Sequence, residues 1–573
     1  MQDRRYLASA GASAVAAAAL SACILLVNGV PLGPDLWLQQ LAGRPAVWPG
    51  LVAELGSGAV LYPVLLAIAL WRRTLRAALL PVLLALAQVV EVVVLSALPR
   101  SGPDLAWAGL SSGRTASAVV GAGLIAWAAD PRARALLVGP LLGAAVGWSR
   151  VAAGAHWASD ALLGLLVGGA LLSVAVAVAG AVPDRSLQLP VVRAGRWSSA
   201  WLWLLPAGAS LVPLLSFTSE RSGHLLIDLQ VYVGSAGAVD GGQDLYAYRT
   251  PQGLPFTYPP FAALLAEPLA RMPLPVVRVL WTAASLLGVI GVARTAMRPV
   301  VARLGLPITV TLLLLSTPVR SHLRFGQVGL FLVLLVSWDL LTTTRRQGAG
   351  VGLAAAIKLT PAIYLLWLLA CRQWSRAKAA LAWATAATAG GLLVLWPSSP
   401  SWLRDALWDA DRFGPNGIPG NQSVRGMLLR TPLSDAAAAT LWLVCALVLL
   451  AAGVAGARRL EHAGRRLAAV GVLAATSVAV SPISWQHHLV WLALPLAALV
   501  EGRQNRLAAA WAAVLIAPTT TLALHVSTPV LGPALVDTCG LTAVAAVLLL
   551  PRLLLPRPTS LDGGRERRGR SAA

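Results

Sequence analysis

The sequence predicts an all-α membrane protein that crosses the bilayer many times. Of its 573 residues, 57% are hydrophobic and only 12% are charged, and the mean hydropathy is +0.72. This composition lies far from that of soluble globular chains. Apolar runs of roughly 17 to 25 residues, the length that crosses a hydrocarbon core about 30 Å thick, recur from end to end with short polar breaks. The bilayer is therefore the expected solvent for most of the chain.

The charged residues indicate membrane topology rather than a nucleic-acid partner. The formal charge is +22, but the arginines stand in short clusters at helix ends instead of along one face. Four scattered cysteines show neither metal-ligand nor paired spacing. We therefore expect the lipid bilayer as a partner, and no nucleic acid, no metal and no cofactor.

Basic clusters, which mark cytoplasmic loops, divide the chain into two membrane domains. Arg4-Arg5 and the tail RERRGR place both termini in the cytoplasm. Six helices fit before residue 183, at roughly 7–30, 51–71, 77–98, 115–130, 135–149 and 159–182. A polar cytoplasmic linker follows at 183–198. We predict domains at 1–182 and 199–557, and a basic, disordered cytoplasmic tail at 558–573.

One stretch of the second domain predicts a hairpin or a broken helix. Residues Gly348 to Arg372 lie between two basic clusters and are too few for two full-length helices. The polar tip of the resulting hairpin is the segment 358–361, which begins with Lys358. Irregular backbone at membrane depth is tolerated only where protein or a water-filled cavity surrounds it. We therefore expect a cavity at this tip.

In the first domain, the stretch SRVAAGAHWASD concentrates groups that can handle a phosphate at the outer end of the fifth helix. Arg150 can bind a phosphate, and His156 and Asp160, four residues apart, would share one face of a helix. A carboxylate that accepts one ring N–H of a histidine frees the other nitrogen for attack. Upstream, SSGRT at 111–115 opens the fourth helix, where free N–H groups and the helix dipole favour an anion.

These two segments resemble the type-2 phosphatidic acid phosphatase superfamily, membrane enzymes that dephosphorylate lipid phosphates through a phosphohistidine. The motif Ser-Arg, five residues, His, three residues, Asp is complete. The resemblance implies that His156 is the nucleophile and Asp160 its orienting partner. The phosphate-binding residues are then Arg150, Ser112, Gly113 and Arg114. The family's second motif is Pro-Ser-Gly-His, however, and an arginine in place of that histidine cannot protonate the leaving group.

Three interpretations of this domain remain open: an active phosphatase with another acid, a lipid-phosphate binding module without turnover, and a scaffold with vestigial residues. The family's first motif, a Lys followed by Arg-Pro, is unmatched, with Arg100 alone near the expected place.

Glu91 lies within the third helix. Burial of a carboxylate at membrane depth is costly unless the group is paired or protonated, so we expect Glu91 to be a structural partner.

The second domain begins with an outer segment that is too long for a mere connection. Its tyrosines and phenylalanines indicate a segment packed against the membrane domain. Asp228 stands in the apolar setting LLIDLQVY, where poor solvation raises its proton affinity and suits it to act as a general base. The alternative role for this aspartate is a helix cap.

This region resembles glycosyltransferase family 87, polytopic enzymes of the C-type architecture that transfer mannose from polyprenyl-phosphate-mannose on the outer face. The resemblance spans about residues 199 to 555, over the segments DLQVY, GGQDLY, PFTYPPF, RFGQVGLF, AIKLTP, GNQSVRG and SPISWQHH. It implies that Asp228, in the first outer loop, is the catalytic base of a single displacement. It also implies a lipid-phosphate leaving group whose charge requires cationic partners.

The substrate-binding residues expected on the outer side come from these same segments. They are Tyr258, Arg320, Arg324, Gln327, Lys358, Asn421, Arg425, His487 and His488, with His322 as a further cation. The alternative role for Arg320 and Arg324 is contact with lipid headgroups. Lys358 lies in an apolar setting with few such routes, which favours a functional role.

The sequence thus predicts a six-helix phosphatase-like bundle followed by an extracytoplasmic glycosyltransferase of the cell membrane. The donor is a polyprenyl-phosphate-sugar, with mannose in α linkage expected and arabinose or another sugar open. The acceptor is a cell-envelope glycan or glycolipid. Two alternatives are a transporter or flippase for polyprenyl-linked sugars, because broken helices and midplane charges also mark transporters, and a lipid phosphatase whose C-terminal half recruits substrate.

Overall fold

The fold is all-α wherever the structure describes it, as the sequence predicts. The computed structural model describes residues 12–21, 35, 52, 55–72, 74–96, 113–130, 137–153, 156–182, 184, 200–203, 205–210, 226–342, 347–409, 412, 416–517, 519–523 and 531–555. Within them, extended pairing is limited to two isolated bridges, Arg249 with Pro255 and Asn421 with Trp485. Arg4-Arg5, Arg100, Ser112, the tail and all of the linker except residue 184 lie outside the described residues.

The N-terminal block contains helices at the last five predicted positions, and the first predicted helix, 7–30, is described over residues 12–21. Its described helices are α1 (Ala12–Ser21), α2 (Gly58–Arg72), α3 (Leu75–Ser96), α4 (Gly113–Ala129), α5 (Val138–Ala152) and α6 (Ala158–Ala181). Glycines on α5 allow close packing of α4, α5 and α6. A Cβ on Gly147 would lie 3.1 Å from the Ala161 Cβ and 3.3 Å from Thr115 side-chain atoms. Small residues at helix contacts are the usual means of association in a membrane, where backbones must approach closely.

The second block contains both long and broken helices. After α7 (Ile227–Asp240) and α8 (Pro260–Ala270) come α9 (Leu274–Thr295), α10 (Arg298–Leu304), α11 (Leu306–Leu315), α12 (Thr317–Phe325), α13 (Gly329–Leu341), α14 (Ala349–Ile357), α15 (Ala362–Ala370) and α16 (Trp374–Val394). Then follow α17 (Val424–Leu429), α18 (Asp435–His462), α19 (Arg466–Val480), a 3₁₀ segment (Gln486–Leu492), α20 (Ala493–Glu501), α21 (Asn505–Ile516), α22 (Thr519–Ala523), α23 (Leu531–Val536) and α24 (Thr538–Leu554).

Several of these helices have the length and composition of membrane spans. Among the described residues, α6, α9, α16 and α18 are long and apolar enough to cross a bilayer. Two further pairs, α10 with α11 and α12 with α13, qualify as single spans bent by 116° and 119°. The chain is therefore a multi-pass membrane protein.

The predicted broken helix is confirmed. Helices α14 and α15 are nine residues each, and Lys358 between them is extended, with φ −149° and ψ 134°. The buried Asp339 carboxylate fixes the start of this broken helix, because it accepts hydrogen bonds from the backbone N–H groups of Gly348 (2.7 Å) and Val351 (3.0 Å). Its anchored base and extended tip hold the Lys358 side chain in place.

Among the described residues, two large hydrophobic cores and one small cluster of Ala17, Leu163 and Val167 organise the packing. The larger core is continuous from Leu61 and Leu65 on α2 to Leu313 and Leu314 on α11 and on to α24, so both blocks share it. The smaller core joins Tyr246, Phe256 and Tyr258, which lie between α7 and α8, to α7 and to Trp402. The aromatic-rich segment is thus packed, as predicted.

Candidate active sites

The position of Asp228 is set by contact between α7 and the end of α12. Asp228 lies in the first turn of α7, and the residue before the helix, Leu226, donates its backbone N–H to the Arg324 carbonyl at 2.9 Å. The Asp228 carboxylate accepts a 2.8 Å hydrogen bond from Gln327 Nε2. Gln327 follows Gly326, whose φ of +72° ends α12 and favours glycine. A local turn therefore carries the amide to the carboxylate.

Two buried phenols orient the amide of Gln327. The hydroxyls of Tyr232 and Tyr258 lie 3.1 and 3.2 Å from Gln327 Oε1, and 3.0 Å from each other. Because a phenol donates and an amide oxygen accepts, the amide nitrogen must face Asp228. Our sequence reasoning missed Tyr232 as a site residue. The signal was present, since Asp228 and Tyr232 are one helical turn apart in DLQVY.

Lys358 and His488 form the cationic side of the site. Lys358 Nζ is 2.7 Å from His488 Nε2 and 5.2 Å from the centre of the Tyr258 ring. The His488 Nδ1 accepts a 3.2 Å hydrogen bond from the Trp485 backbone N–H, which fixes the imidazole orientation. Tyr258 thus contacts the lysine through its ring face and Gln327 through its hydroxyl, and it links the base to the cation.

Two more imidazoles lie beside this pair. The rings of His487 and His488 are 4.5 Å apart, and the His322 ring packs 6.3 Å from that of Phe331. The side chains of His322 and His487 are buried. Within the part of the chain that the structure describes, both ring nitrogens of His322 and the Nε2 of His487 have no hydrogen-bond partner. Buried polar atoms are normally paired, so these nitrogens are suited to a bound ligand or water.

The electrostatics of α7 suit Asp228 to accept a proton. Burial raises the pKa of the Asp228 carboxyl from 3.8 to about 6, whereas the Gln327 hydrogen bond and the positive charge of Lys358 act to lower it. A pKa near the working pH is favourable because the ionised fraction of the base falls as its pKa rises while its proton affinity increases, and the product of the two is largest there.

The other predicted residues of this domain lie in different settings. Arg320 and Arg324 are exposed on α12, and the Arg425 guanidinium lies 5.7 Å from the Trp442 ring. The fully buried Asn421 amide accepts hydrogen bonds from Ser423 and Ser484 and donates to two backbone carbonyls. Asn421 therefore joins the loops before α17 and after α19, and its predicted role in substrate binding stays a prediction.

The described residues contain no grouping of three His, Cys, Asp or Glu side chains that could hold a metal ion. The three imidazoles near Lys358 are thus not arranged as a metal centre. Their neighbourhood instead combines a carboxylate with a lysine and uncommitted ring nitrogens. Such a set can take a proton at one end and stabilise an anion at the other.

The first domain brings Arg150 to His156. Arg150 Nη2 at the end of α5 lies 3.4 Å from His156 Nε2. Burial and the positive charges of Arg150 and Arg114 lower the His156 pKa to about 3, so this imidazole is neutral near pH 7. Gly113 and Arg114 open α4 as predicted. Two guanidinium groups and an imidazole near a helix N-terminus favour an anion.

The expected arrangement of His156 and Asp160 on one helical face is wrong. Helix α6 begins only at Ala158, because Trp157 is its extended N-cap residue, and His156 precedes the helix. The Asp160 carboxylate accepts the Trp157 backbone N–H at 3.1 Å and so closes the first turn. The first turn of α6 also bonds to Asp35. The Asp35 carboxylate accepts one hydrogen bond from the Ser159 backbone N–H and one from the Ser159 hydroxyl, both at 2.7 Å.

Glu91 is a structural partner, and its mate is Ser117 on α4. The Ser117 hydroxyl donates to Glu91 Oε2 at 3.1 Å and accepts from Gln88 at 3.0 Å, and Gln88 in turn accepts from Tyr62 at 2.9 Å. This buried series connects α2, α3 and α4. Paired polar groups of this kind are what a carboxylate inside a membrane helix requires.

Comparison with known proteins gives matches to both halves of the chain. The model of glycosyltransferase family 87 matches residues 256–482, and that of the PAP2 superfamily matches residues 96–182. The polyprenol-phosphate-mannose-dependent α-(1-2)-phosphatidylinositol pentamannoside mannosyltransferase of Mycolicibacterium smegmatis is 37% identical over 306 residues, which are 52% of this chain and 71% of that protein. The chain belongs to glycosyltransferase family 87.

Another member of family 87 gives a similar match. The polyprenol-phosphate-mannose-dependent α-(1-2)-phosphatidylinositol mannoside mannosyltransferase of Mycobacterium tuberculosis is 36% identical over 330 residues, 52% of this chain and 75% of that protein. No solved structure matches the chain. The matches to these relatives cover about half of this family 87 protein, whereas the PAP2 match lies within the first domain.

Proposed function

We propose that this family 87 protein transfers mannose in α linkage from polyprenyl-phosphate-mannose to a cell-envelope glycolipid on the extracytoplasmic side. The observation that carries the proposal is the series of contacts from Asp228 through Gln327 and Tyr258 to Lys358. A carboxylate that can accept a proton and a lysine that can stabilise an anion are thus linked through two side chains, which supports this chemistry. The names of the two mycobacterial relatives support this donor. The basic clusters support cytoplasmic termini and an outer site.

The proposed reaction is a single displacement at the anomeric carbon. The acceptor hydroxyl loses its proton to Asp228 while its oxygen bonds to that carbon. The bond from the carbon to the phosphate oxygen breaks, and both of its electrons leave with the polyprenyl phosphate. Lys358, with His488 beside it, stabilises the charge that develops on this phosphate. The phosphate is a good leaving group, so no strong general acid is required.

The decisive experiment is radiolabelled transfer from polyprenyl-phosphate-mannose by the purified full-length protein. Asp228→Asn should abolish transfer because the amide cannot accept the proton. Asp240→Asn, at the exposed end of the same helix, is the matched control and should transfer normally. Transfer that survives in Asp228→Asn would refute the assignment of the base. A wild-type protein inactive in detergent would favour a flippase.

For the first domain, we propose a site that binds lipid phosphates through Arg114, Arg150 and His156. The two guanidinium groups near a neutral imidazole support this, since together they attract an anion and leave a ring nitrogen able to contact it. Binding of polyprenyl phosphate should weaken in Arg150→Leu, while Arg72→Leu, an exposed arginine at the end of α2, should not change it. Equal affinity in both variants would exclude this site.

A further inference from the structure

A short helical segment follows α16 and lies against the loop that carries Tyr258. Helix α16 ends at Val394, and the chain continues as a 3₁₀ turn (Trp396–Ser398), an α turn (Ser399–Ser401) and a π turn (Trp402–Ala406). We call residues 396–409 the surface segment and residues 244–258 the aromatic loop. Just before the segment, a Cβ built on Gly391 would lie 2.5 Å from the Phe261 backbone nitrogen. The end of α16 therefore packs closely against the backbone at the start of α8.

Two hydrogen bonds and one buried side chain fix the inner face of the surface segment. The Ser398 hydroxyl accepts the Leu245 backbone N–H at 2.9 Å, and the Ser401 hydroxyl donates to the Asp244 carboxylate at 2.5 Å. Trp402 is buried in the same hydrophobic core as the tyrosines of the aromatic loop. Both polar and apolar contacts thus attach the segment to this loop.

The aromatic loop connects the surface segment to the candidate active site. The Tyr246 hydroxyl donates to the Tyr258 carbonyl at 2.8 Å, and Arg412, three residues beyond the segment, donates to the Phe256 carbonyl at 3.3 Å. Tyr258, whose backbone is held in this way, presents its ring to Lys358 Nζ. The position of the segment therefore bears on a side chain that contacts the catalytic lysine.

The outward side of the surface segment is apolar. Trp396, Leu403 and Trp408 are 67%, 50% and 75% exposed. The indole N–H of Trp408 donates to the Leu403 carbonyl at 2.9 Å, so the exposed part of this ring offers only carbon atoms. Exposed apolar groups of this size are costly in water and mark surfaces that contact another apolar phase.

The lipid-facing surface of α16 leads directly to these residues. Helix α16 has the length and composition of a membrane span, and Leu393 and Val394 in its last turn are exposed. Trp396 follows two residues later, where the span leaves the hydrocarbon. Tryptophan is favoured at such a boundary because its ring combines an apolar body with a polar N–H. The exposed Arg404 of the segment suits the phosphates of lipid headgroups.

We propose that the surface segment lies on the outer leaflet, with Trp396, Leu403 and Trp408 among the headgroups and first acyl carbons, and that it anchors the aromatic loop to the membrane. Short helical segments with one apolar face bind at this depth in proportion to the apolar area that they remove from water. The inference rests on the proposed function for the name of the leaflet and for the role of Tyr258. Contact with lipid does not depend on either.

Photochemical crosslinking tests the lipid contact. The purified full-length protein, with benzoylphenylalanine at position 403 or 408, is reconstituted in liposomes of phosphatidylcholine and phosphatidylglycerol and illuminated. Both positions should form covalent phospholipid adducts, as should the same probe at the lipid-facing position 393. The probe at Gln252, in an exposed polar turn of the aromatic loop, is the matched control and should form none above background. Adducts with a second copy of the chain, or no more lipid adduct than at Gln252, would overturn the proposal.

Hydrogen exchange in the same liposomes tests the anchoring. The double variant Leu403→Ser with Trp408→Ser should take up deuterium faster than the wild type in residues 244–258, because the loop loses its attachment to the membrane. Trp374→Ser with Leu381→Ser is the matched control. It removes one exposed tryptophan and one exposed leucine from the opposite end of α16 and should leave exchange in the aromatic loop unchanged. Equal exchange of this loop in the two double variants would contradict its anchoring.

The two measurements are independent of sugar transfer. Lipid adducts at positions 403 and 408 in a protein that transfers no mannose would contradict the proposed function and support the membrane contact. Normal transfer without such adducts would support the function and refute the contact.

Discussion

Gln327 Nε2 donates a hydrogen bond to Asp228 Oδ2 across 2.8 Å, and the two residues are 99 positions apart in the chain. The bond stabilises the ionised form of the carboxylate, whereas burial stabilises the protonated form. The balance leaves Asp228 with a pKa of about 6. A carboxylate at this value is largely ionised at neutral pH and still basic enough to take a proton.

The raised pKa predicts a specific pH dependence. Transfer requires ionised Asp228, so kcat/KM should be half-maximal near pH 6, approach its plateau about one pH unit higher, and fall at lower pH by about tenfold for each pH unit. An unperturbed aspartate would retain activity down to about pH 4. The measurement is kcat/KM for radiolabelled transfer between pH 4.5 and 8, with stability checked at each pH. A profile that stays flat down to pH 4.5 would contradict the role of Asp228.

Gln327→Leu should move this profile to higher pH. The substitution removes a hydrogen bond to the charged form, and bonds to charged groups contribute about 1.5–3 kcal/mol, which corresponds to a shift of about one to two pH units. The variant should regain activity at high pH, whereas a merely misfolded protein would not. Gln243→Leu, an exposed glutamine after α7, provides the control. An unshifted profile would mean that the bond does not tune the carboxylate.

Lys358→Met should lower kcat by about 10²- to 10³-fold, the usual cost of removing one group that stabilises a developing anion. Lys358→Arg should recover part of this loss because it retains the charge. The chain's other lysine, Lys378, is exposed on α16, and Lys378→Met should retain full activity. Single-turnover measurements separate the chemical step from binding. Similar losses at both lysines would indicate a general effect of charge.

Arg114→His should create or increase phosphatase activity in the first domain. A neighbouring imidazole can protonate a leaving group, which a guanidinium cannot, and general acid catalysis contributes about 10²- to 10⁴-fold. The measurement is release of inorganic phosphate from polyprenyl phosphate. The double variant Arg114→His with His156→Ala should lose this activity. Release that does not depend on His156 would show that the imidazole is not the nucleophile.

Asp35→Ala should destabilise the first domain. It removes the acceptor for the buried N–H and hydroxyl of Ser159, and unsatisfied buried groups cost about 1–3 kcal/mol each. The melting temperature in detergent should fall, whereas Asp184→Ala, an exposed aspartate beyond α6, should leave it unchanged. Equal melting temperatures would show that another group replaces the carboxylate.

The sequence predicted those parts of the molecule that depend on local patterns. Run length and basic clusters predicted the helices, and the short interval around Lys358 predicted the broken helix. Asp228 and Lys358 stood out because charges in apolar settings are costly. The structure brings Asp228, Tyr258, Gln327, Lys358, His487 and His488 into one neighbourhood.

Other features depend on where distant segments meet, and a single sequence does not contain that information. Lys358 and His488 are in contact although they are 130 positions apart in the chain, and Tyr258 and Gln327, which share a hydrogen bond, are 69 positions apart. The prediction that His156 and Asp160 share a helical face was wrong for a local reason. Trp157 is extended, so α6 begins only at Ala158, and no periodicity in the sequence marks that start.

The core that extends without interruption from α2 to α24 has a mechanical consequence. Leu61 and Leu65 on α2 belong to the same buried cluster as Leu313 and Leu314 on α11, so a rigid-body motion of one block against the other would separate packed apolar side chains. Separation of close-packed side chains loses dispersion contacts, which lowers stability. The packing between the blocks therefore opposes hinge motion between them.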